Sequence, residues 1–193
     1  MKPSIISEPH TLAVALGANL PSPAGKPMFT LIEVRPKIEI AISDWILELS
    51  RNVISTQNIA QKIRFRWSPI FQSQPYGGPP GQPSYLNAVL VVDGEILQKT
   101  LQTSESAINL LGKFLSIEKN YGRDRRTPNS LWGPRSLDID FLAWGSLQVK
   151  KKELTLPHPR LIERDFVIVP LAEALRSESV ELIRIEPQQN WKE

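Results

Sequence analysis

The chain has 193 residues, 41% hydrophobic and 22% charged, the proportions of a soluble globular domain that buries roughly 70% of its unfolded surface. It has no cysteine, which excludes a disulfide scaffold, a cysteine-type zinc site, a thiol nucleophile and an iron–sulfur cluster. Net charge is only +3, yet residues 112–135 hold six cations against two anions, and so concentrated a basic stretch points to an anionic partner.

Residues 1–10 lack the apolar core of a signal peptide, and the first arginine is Arg35, which argues against a transit peptide. No apolar run approaches the ~20 residues of a membrane helix. The expectation is a cytoplasmic, single-domain protein over 1–193, with a core of about 12–175 and terminal extensions at 1–10 and 176–193.

Residues 11–16 form a short apolar strand, ended by Gly17-Ala18-Asn19. Pro21, Pro23 and Pro27 predict a long ordered loop. Ile38, Ala41, Ile42, Trp45, Ile46 and Leu49 recur at helical spacing, with Pro36 near the start of that helix. Ile63, Phe65 and Trp67 alternate with Lys62, Arg64 and Arg66 as a half-buried strand. Pro75, Pro79, Pro80 and Pro83, interleaved with Gly77, Gly78 and Gly81, predict a second long loop of the kind that carries function. Residues 85–92 form a strand closed by Asp93-Gly94, and residues 104–120 a helix with Gly122 beyond its end. Leu137, Ile139 and Phe141 alternate with Ser136, Asp138 and Asp140 in a fourth strand, and residues 161–175 read as further helix around Pro170. The order β-α-β-β-α-β is the ferredoxin-like pattern, an α+β fold with helices packed on an antiparallel sheet.

Asp138-Ile139-Asp140 is the sharpest chemical feature. On a strand the two carboxylates share one face, roughly 7 Å apart, and like charges so placed need a cation between them. Hard oxygen donors without cysteine favour Mg²⁺; the competing reading is two ordinary surface acids. Upstream, Gly122-Arg123-Asp124-Arg125-Arg126 and Trp132-Gly133-Pro134-Arg135 supply arginines suited to polyphosphate oxygens and a flat indole face. His158 sits between two stiffening prolines, and Arg164 follows. Tyr85 and Asn87 share a strand face, an aromatic and an amide that suit a flat, hydrogen-bonding heterocycle. Walker and Rossmann glycine loops are absent; Gly112-Lys113 is followed by Phe114.

The blocks Ala15-Leu16-Gly17-Ala18-Asn19-Leu20, Ser73-Gln74-Pro75-Tyr76-Gly77, Gln82 with Tyr85-Leu86-Asn87, Glu118 with Gly122-Arg123-Asp124-Arg125, Trp132-Gly133-Pro134-Arg135-Ser136-Leu137-Asp138-Ile139-Asp140, and Leu156-Pro157-His158-Pro159-Arg160 with Arg164-Asp165-Phe166-Val167 resemble the 6-hydroxymethyl-7,8-dihydropterin pyrophosphokinase family of folate synthesis. The resemblance implies a ferredoxin-like core with three mobile loops, acting as a monomer without nucleic-acid or membrane partners. It implies that ATP donates its β,γ-diphosphate to the pterin hydroxymethyl oxygen and that AMP is released. It implies two Mg²⁺ ions held by Asp138 and Asp140. The pterin is expected at Ser73, Tyr76, Tyr85, Asn87, Trp132 and Phe166. ATP is expected at Glu118, Arg123, Arg125, Trp132, Arg135, Thr155, His158 and Arg164, with Arg123 and Arg135 stabilising charge during transfer. In this sequence Leu131 stands where the family often has a basic residue, Ser73 replaces a usual threonine, and residues 21–35 are longer than the common pattern.

Two other classes share parts of this pattern. An RNA-binding module has the same element order but needs exposed aromatics in its strand motif, which the sequence lacks. A nucleotidyltransferase can use D-x-D for two metals and releases diphosphate rather than AMP.

Overall fold

The computed structural model describes residues 11–50, 63–98, 100–123 and 132–176. In chain order it contains β1 (Leu12–Ala18), α1 (Pro27–Ser50), β2 (Arg64–Trp67), β3 (Phe71–Ser73), β4 (Tyr85–Asp93), α2 (Glu95–Gln98), α3 (Ser104–Asn120), β5 (Asp138–Trp144), β6 (Val149–Lys150), β7 (Thr155–Leu156) and α4 (Asp165–Leu175). The main sheet runs β2-β4-β1-β5, with β3 also on β4, and every pairing is antiparallel. β2 and β3 follow one another along the same edge of β4, interrupted where Pro69 cannot donate. Ser68 bridges the break: its N–H donates to Val89 O and its Oγ accepts the Val89 N–H, each at 2.9 Å. With β2 and β3 counted as one interrupted strand, this is the ferredoxin-like α+β sheet that the element order predicts.

The two sheet faces carry different cores. Leu12, Val14, Leu16 and Ala18 of β1 point toward α1 and α3, meeting Ile38, Ile42, Trp45, Leu110 and Phe114. Ala13 and Ala15 point the other way, toward Leu161, Val167 and Leu171, so α4 covers part of that second face. Small residues on β1 let α4 lie close. Between Ala13 and Val14 the register with β5 shifts by a β-bulge, and Leu142 joins its neighbour Ala143 on the α4 face.

Three expectations need correction. Helix α1 starts at Pro27, and Pro36 lies inside it. Proline at the first helical position is preorganised and forfeits only an N–H that has no partner there. Pro36 and Ile32 both lie on the exposed side of the helix, where solvent can take the carbonyl that Pro36 leaves without a donor. The early proline stretch is consequently short, a tight turn in which Ser22 and Gly25 exchange backbone bonds of 2.8 and 2.9 Å. Much of the additional length at 21–35 is helix. The last helix begins at Asp165 rather than at 161, behind an extended Arg164, while Leu161 still reaches the core. Helix α3 spans the expected residues. Thr103 Oγ1 accepts the Ser106 N–H at its start, and Gly122 turns with φ +83° after its end. Lys62, the terminal extensions 1–10 and 177–193, and residues 124–131 lie outside the described residues.

Candidate active site

The open part of the second face is organised by β1. Gly17 pairs with Asn87 of β4 on one side and Asp138 of β5 on the other; Ala15 pairs with Val89 and Asp140. Cross-strand partners share a face, so Asn87 and Asp138 stand two strand spacings apart, roughly 10 Å. Between them is glycine. A Cβ at Gly17 would lie 3.4 Å from Asn87 Oδ1 and 3.9 Å from the Tyr85 ring, so the missing side chain keeps the floor open. Leu137, Ile139 and Phe141 are buried behind it, which leaves both aspartates facing the opening, as strand parity predicts.

An open cleft lies over this floor. Ser73, Tyr76, Tyr85, Asn87, Trp132 and Phe166 all line it, together with Arg135, Asp138, Asp140 and Arg164. The six positions expected to hold a flat heterocycle thus converge with the aspartates in one space. Asn87 Nδ2 donates to Ser73 Oγ at 2.9 Å, and Tyr85 Oη donates to Gly133 O at 2.9 Å. The Tyr76 and Trp132 rings lie tilted, 6.3 Å between centroids. Trp132 has φ +63°.

Cations surround the aspartates. Arg135 Nη1 pairs with Asp138 Oδ2, Arg123 Nη2 lies 3.8 Å from Asp138 Oδ1, and Arg164 Nη1 lies 3.5 Å from Asp140 Oδ2. Burial nonetheless pushes the Asp140 carboxyl up to about 6, and the Asp138 charge adds to this, while Arg164 and Arg135 pull it down. A buried carboxylate that resists ionisation, with a second carboxylate on the same strand face, is suited to a divalent cation. Among the described residues no group of three or more acidic or histidine side chains forms a metal cage. Two carboxylates that leave the remaining positions to phosphate oxygens and water match the habit of Mg²⁺. Asp138 and Asp140 would hold it.

The other expected nucleotide residues are placed unevenly. Arg123 lies at Asp138 with its side chain largely buried. Its N–H donates to Glu118 O at 3.0 Å, so the end of α3 fixes it. Glu118 is itself buried, and its Oε1 accepts the Ile139 N–H at 2.8 Å, which seats the strand between the two aspartates. His158 N–H donates to Leu142 O at 2.7 Å, and its Nδ1 accepts the Arg160 N–H at 3.3 Å. The neutral ring then carries its proton on Nε2. Burial, followed by Arg164 and Arg160, lowers the ring's pKa and keeps it neutral; Asp138 opposes them. Thr155 is exposed on β7, opposite Lys150, and is not part of the cleft lining. Arg125 lies outside the described residues.

Two residues to which no role was assigned also serve the cleft. Gln82 Nε2 donates to Gly77 O and Trp132 O, each at 3.1 Å, which ties the glycine–proline loop to the Trp132 main chain. The Arg160 guanidinium carbon lies 4.0 Å from the Trp132 ring centroid, a cation–π stack. The adjacency of Gln82 to the prolines and of Arg160 to His158 was the available signal; their partners are distant in the chain.

Comparison with known proteins gives a consistent picture. The pattern of the family described as 7,8-dihydro-6-hydroxymethylpterin-pyrophosphokinase matches residues 13–176. Three similar proteins each bear the name 2-amino-4-hydroxy-6-hydroxymethyldihydropteridine pyrophosphokinase. One from Synechocystis sp. is 40% identical over 108 residues, 56% of this chain and 48% of its own. One from Bacillus subtilis is 32% identical over 130 residues, 65% of this chain and 70% of its own. One from Pseudomonas aeruginosa is 31% identical over 160 residues, 83% of this chain and 77% of its own. The match thus spans about half the length of the Synechocystis protein.

Proposed function

The chain belongs to the 7,8-dihydro-6-hydroxymethylpterin-pyrophosphokinase family, and from that premise we propose that it transfers the β,γ-diphosphate of ATP to 6-hydroxymethyl-7,8-dihydropterin in tetrahydrofolate biosynthesis. The hydroxymethyl oxygen attacks the β-phosphorus, the bond from that phosphorus to the oxygen of the α-phosphate breaks, and AMP leaves. The observation that supports this most is the shared register of Asn87, Gly17 and Asp138. It sets the residues proposed for the ring and those proposed for the phosphates side by side on one sheet face.

In this reading Asn87 and Ser73 meet the polar edge of the pterin, while Tyr76, Tyr85, Trp132 and Phe166 enclose its faces. Arg135, Arg123 and Arg164 bind phosphate oxygens, and the first two oppose charge as it grows on the moving group. His158 donates Nε2–H to a phosphate oxygen. Glu118 supports the nucleotide half through the strand it anchors. Asp138 and Asp140 would hold two Mg²⁺ ions, which would supply positive charge against the phosphates. The pair of aspartates on an open sheet face disfavours an RNA ligand, whose phosphates they would repel. Among the described residues no helix is long and apolar enough to cross a membrane, and a cytoplasmic monomer is the proposed form.

The test is incubation with ATP, Mg²⁺ and the reduced pterin, with AMP quantified. AMP must appear only when all three are present. Formation of ADP, or AMP production that is independent of the pterin, contradicts the proposal.

A further inference from the structure

Asn19 follows β1 at the site end of the strand and is 3% exposed. Its Nδ2 donates to Pro83 O at 3.0 Å, and its Oδ1 accepts the Arg135 N–H at 2.7 Å. The backbone N–H groups of Asn19 and Leu20 both donate to Arg135 O, at 2.9 and 3.0 Å. The peptide groups of Arg135 are thus held on both sides by the end of β1. From there its Nε donates to Gly133 O at 3.2 Å and its guanidinium reaches Asp138. Pro83 closes the glycine–proline loop two residues before Tyr85, so it anchors the segment that brings Tyr76 into the cleft.

One buried amide therefore joins the loop of the ring-binding half to the main chain of the phosphate-binding arginine. The chemistry selects an amide. The Arg135 side needs an acceptor and the Pro83 side needs a donor, which a primary amide supplies together. A carboxylate of the same shape would keep the first bond and turn a lone pair against the Pro83 carbonyl. A serine hydroxyl is too short to span both.

We propose that Asn19 is a positioning residue that couples the two halves of the cleft. Its Pro83 bond sets the ring-binding loop, and its Arg135 bond sets the arginine that meets the diphosphate. This inference rests on the proposed diphosphate transfer. Asn19→Asp severs only the loop bond. It is expected to raise the pterin KM about tenfold, equivalent to about 1.4 kcal/mol and so to one buried hydrogen bond, with the ATP KM within twofold of wild type. Asn19→Ala severs both bonds and is expected to lower kcat about tenfold in the otherwise wild-type chain. In an Arg135→Ala background the same change should lower kcat less than twofold, because its effect on rate passes through Arg135.

The experiment measures steady-state constants and single-turnover AMP formation for the wild type, the three single variants and the double variant. Asn19→Asp keeps the Arg135 bond and decides the matter by itself if Asn19→Ala fails to fold. Additive kcat losses in the double variant overturn the inference, and so does an Asn19→Asp chain whose ATP and pterin KM values shift alike. A wild-type chain that forms no AMP removes the functional reading and this inference with it; an active wild type with additive losses overturns the inference alone.

Discussion

Asp140 holds its carboxyl at about 6 against an ordinary 3.8, through burial and the neighbouring Asp138 charge. For an acid raised in this way, the folded state binds the proton better than the unfolded chain does. The resulting stabilisation is complete below 3.8 and is lost as pH rises through about 6. At neutral pH the fold therefore carries an Asp140 charge that its arginine neighbours only partly offset. Asp140→Asn removes it without changing shape. In chelator, the variant should melt at a higher temperature than wild type at pH 7, and that advantage should vanish by about pH 4, where both proteins are neutral at this position. Its turnover should fall by roughly 10³-fold or more, the scale of losing a phosphate-clamping group; near-normal AMP formation at saturating Mg²⁺ contradicts the metal assignment. The arginines divide differently. Arg123 and Arg135 both lie against Asp138. Arg123→Ala should therefore weaken ATP binding as well as rate, and Arg135→Lys should do the same because lysine cannot copy the two-oxygen grip. Calorimetry with ATP beside single-turnover rates separates these outcomes; a wild-type ATP affinity for either variant contradicts the placement. The aspartate pair was legible because strand parity and the apolar residues between the carboxylates identify one face. Asn19 was not, because its partners Pro83 and Arg135 are 64 and 116 residues away, a distance no local pattern spans.

The glycine–proline loop meets Trp132 through its backbone. A Cβ at Gly78 would run into the Trp132 carbonyl oxygen, at φ +79°, whereas a Cβ at Gly81 meets nothing within 4 Å, at φ +78°. Gly78→Ala should therefore displace the loop and raise the pterin KM at least tenfold, on top of the backbone cost that a φ of +79° imposes. Gly81→Ala should pay only for its backbone conformation, about 1 kcal/mol, and keep KM within a few-fold. Equal effects of the two substitutions on KM would contradict the packing. Helix α3 and strand β5 are joined by Glu118, whose Oε1 takes the buried Ile139 N–H. Glu118→Ala should cost about 1–3 kcal/mol by orphaning that donor, while Glu118→Gln, which retains an acceptor, should lose less. Denaturant unfolding of both variants checks this, and an equal loss contradicts it. Helix α3 was readable because Ile108, Leu111 and Leu115 recur at helical spacing and Gly122 follows its end. The start of α1 was not, since Pro36 looked like a first-turn proline; its exposed position is a tertiary fact.

Two different cores on one sheet explain how a chain this small carries a cleft. The α1 and α3 side supplies most of the buried apolar residues. The other side can then leave part of its face to Gly17, Asn87 and the aspartates, with α4 covering only the remainder. The ferredoxin-like element order was legible because short apolar or alternating strands give way to segments of helical spacing, each bounded by turn residues. That β2 and β3 act as one interrupted strand was not, because Ser68 repairs the break at Pro69 through a partner 21 residues away. The convergence of the cleft residues depends on β1 lying between β4 and β5, and the proposed chemistry requires a ring-binding and a phosphate-binding half to act jointly there. Phosphorus NMR of a reaction of this chain with ATP, Mg²⁺ and 6-hydroxymethyl-7,8-dihydropterin tests that joint action most directly. The expected spectrum gains the signals of AMP and of a pterin-bound diphosphate in equal molar amounts. Signals of ADP with a pterin monophosphate, or of AMP with free diphosphate and no phosphorylated pterin, would contradict it.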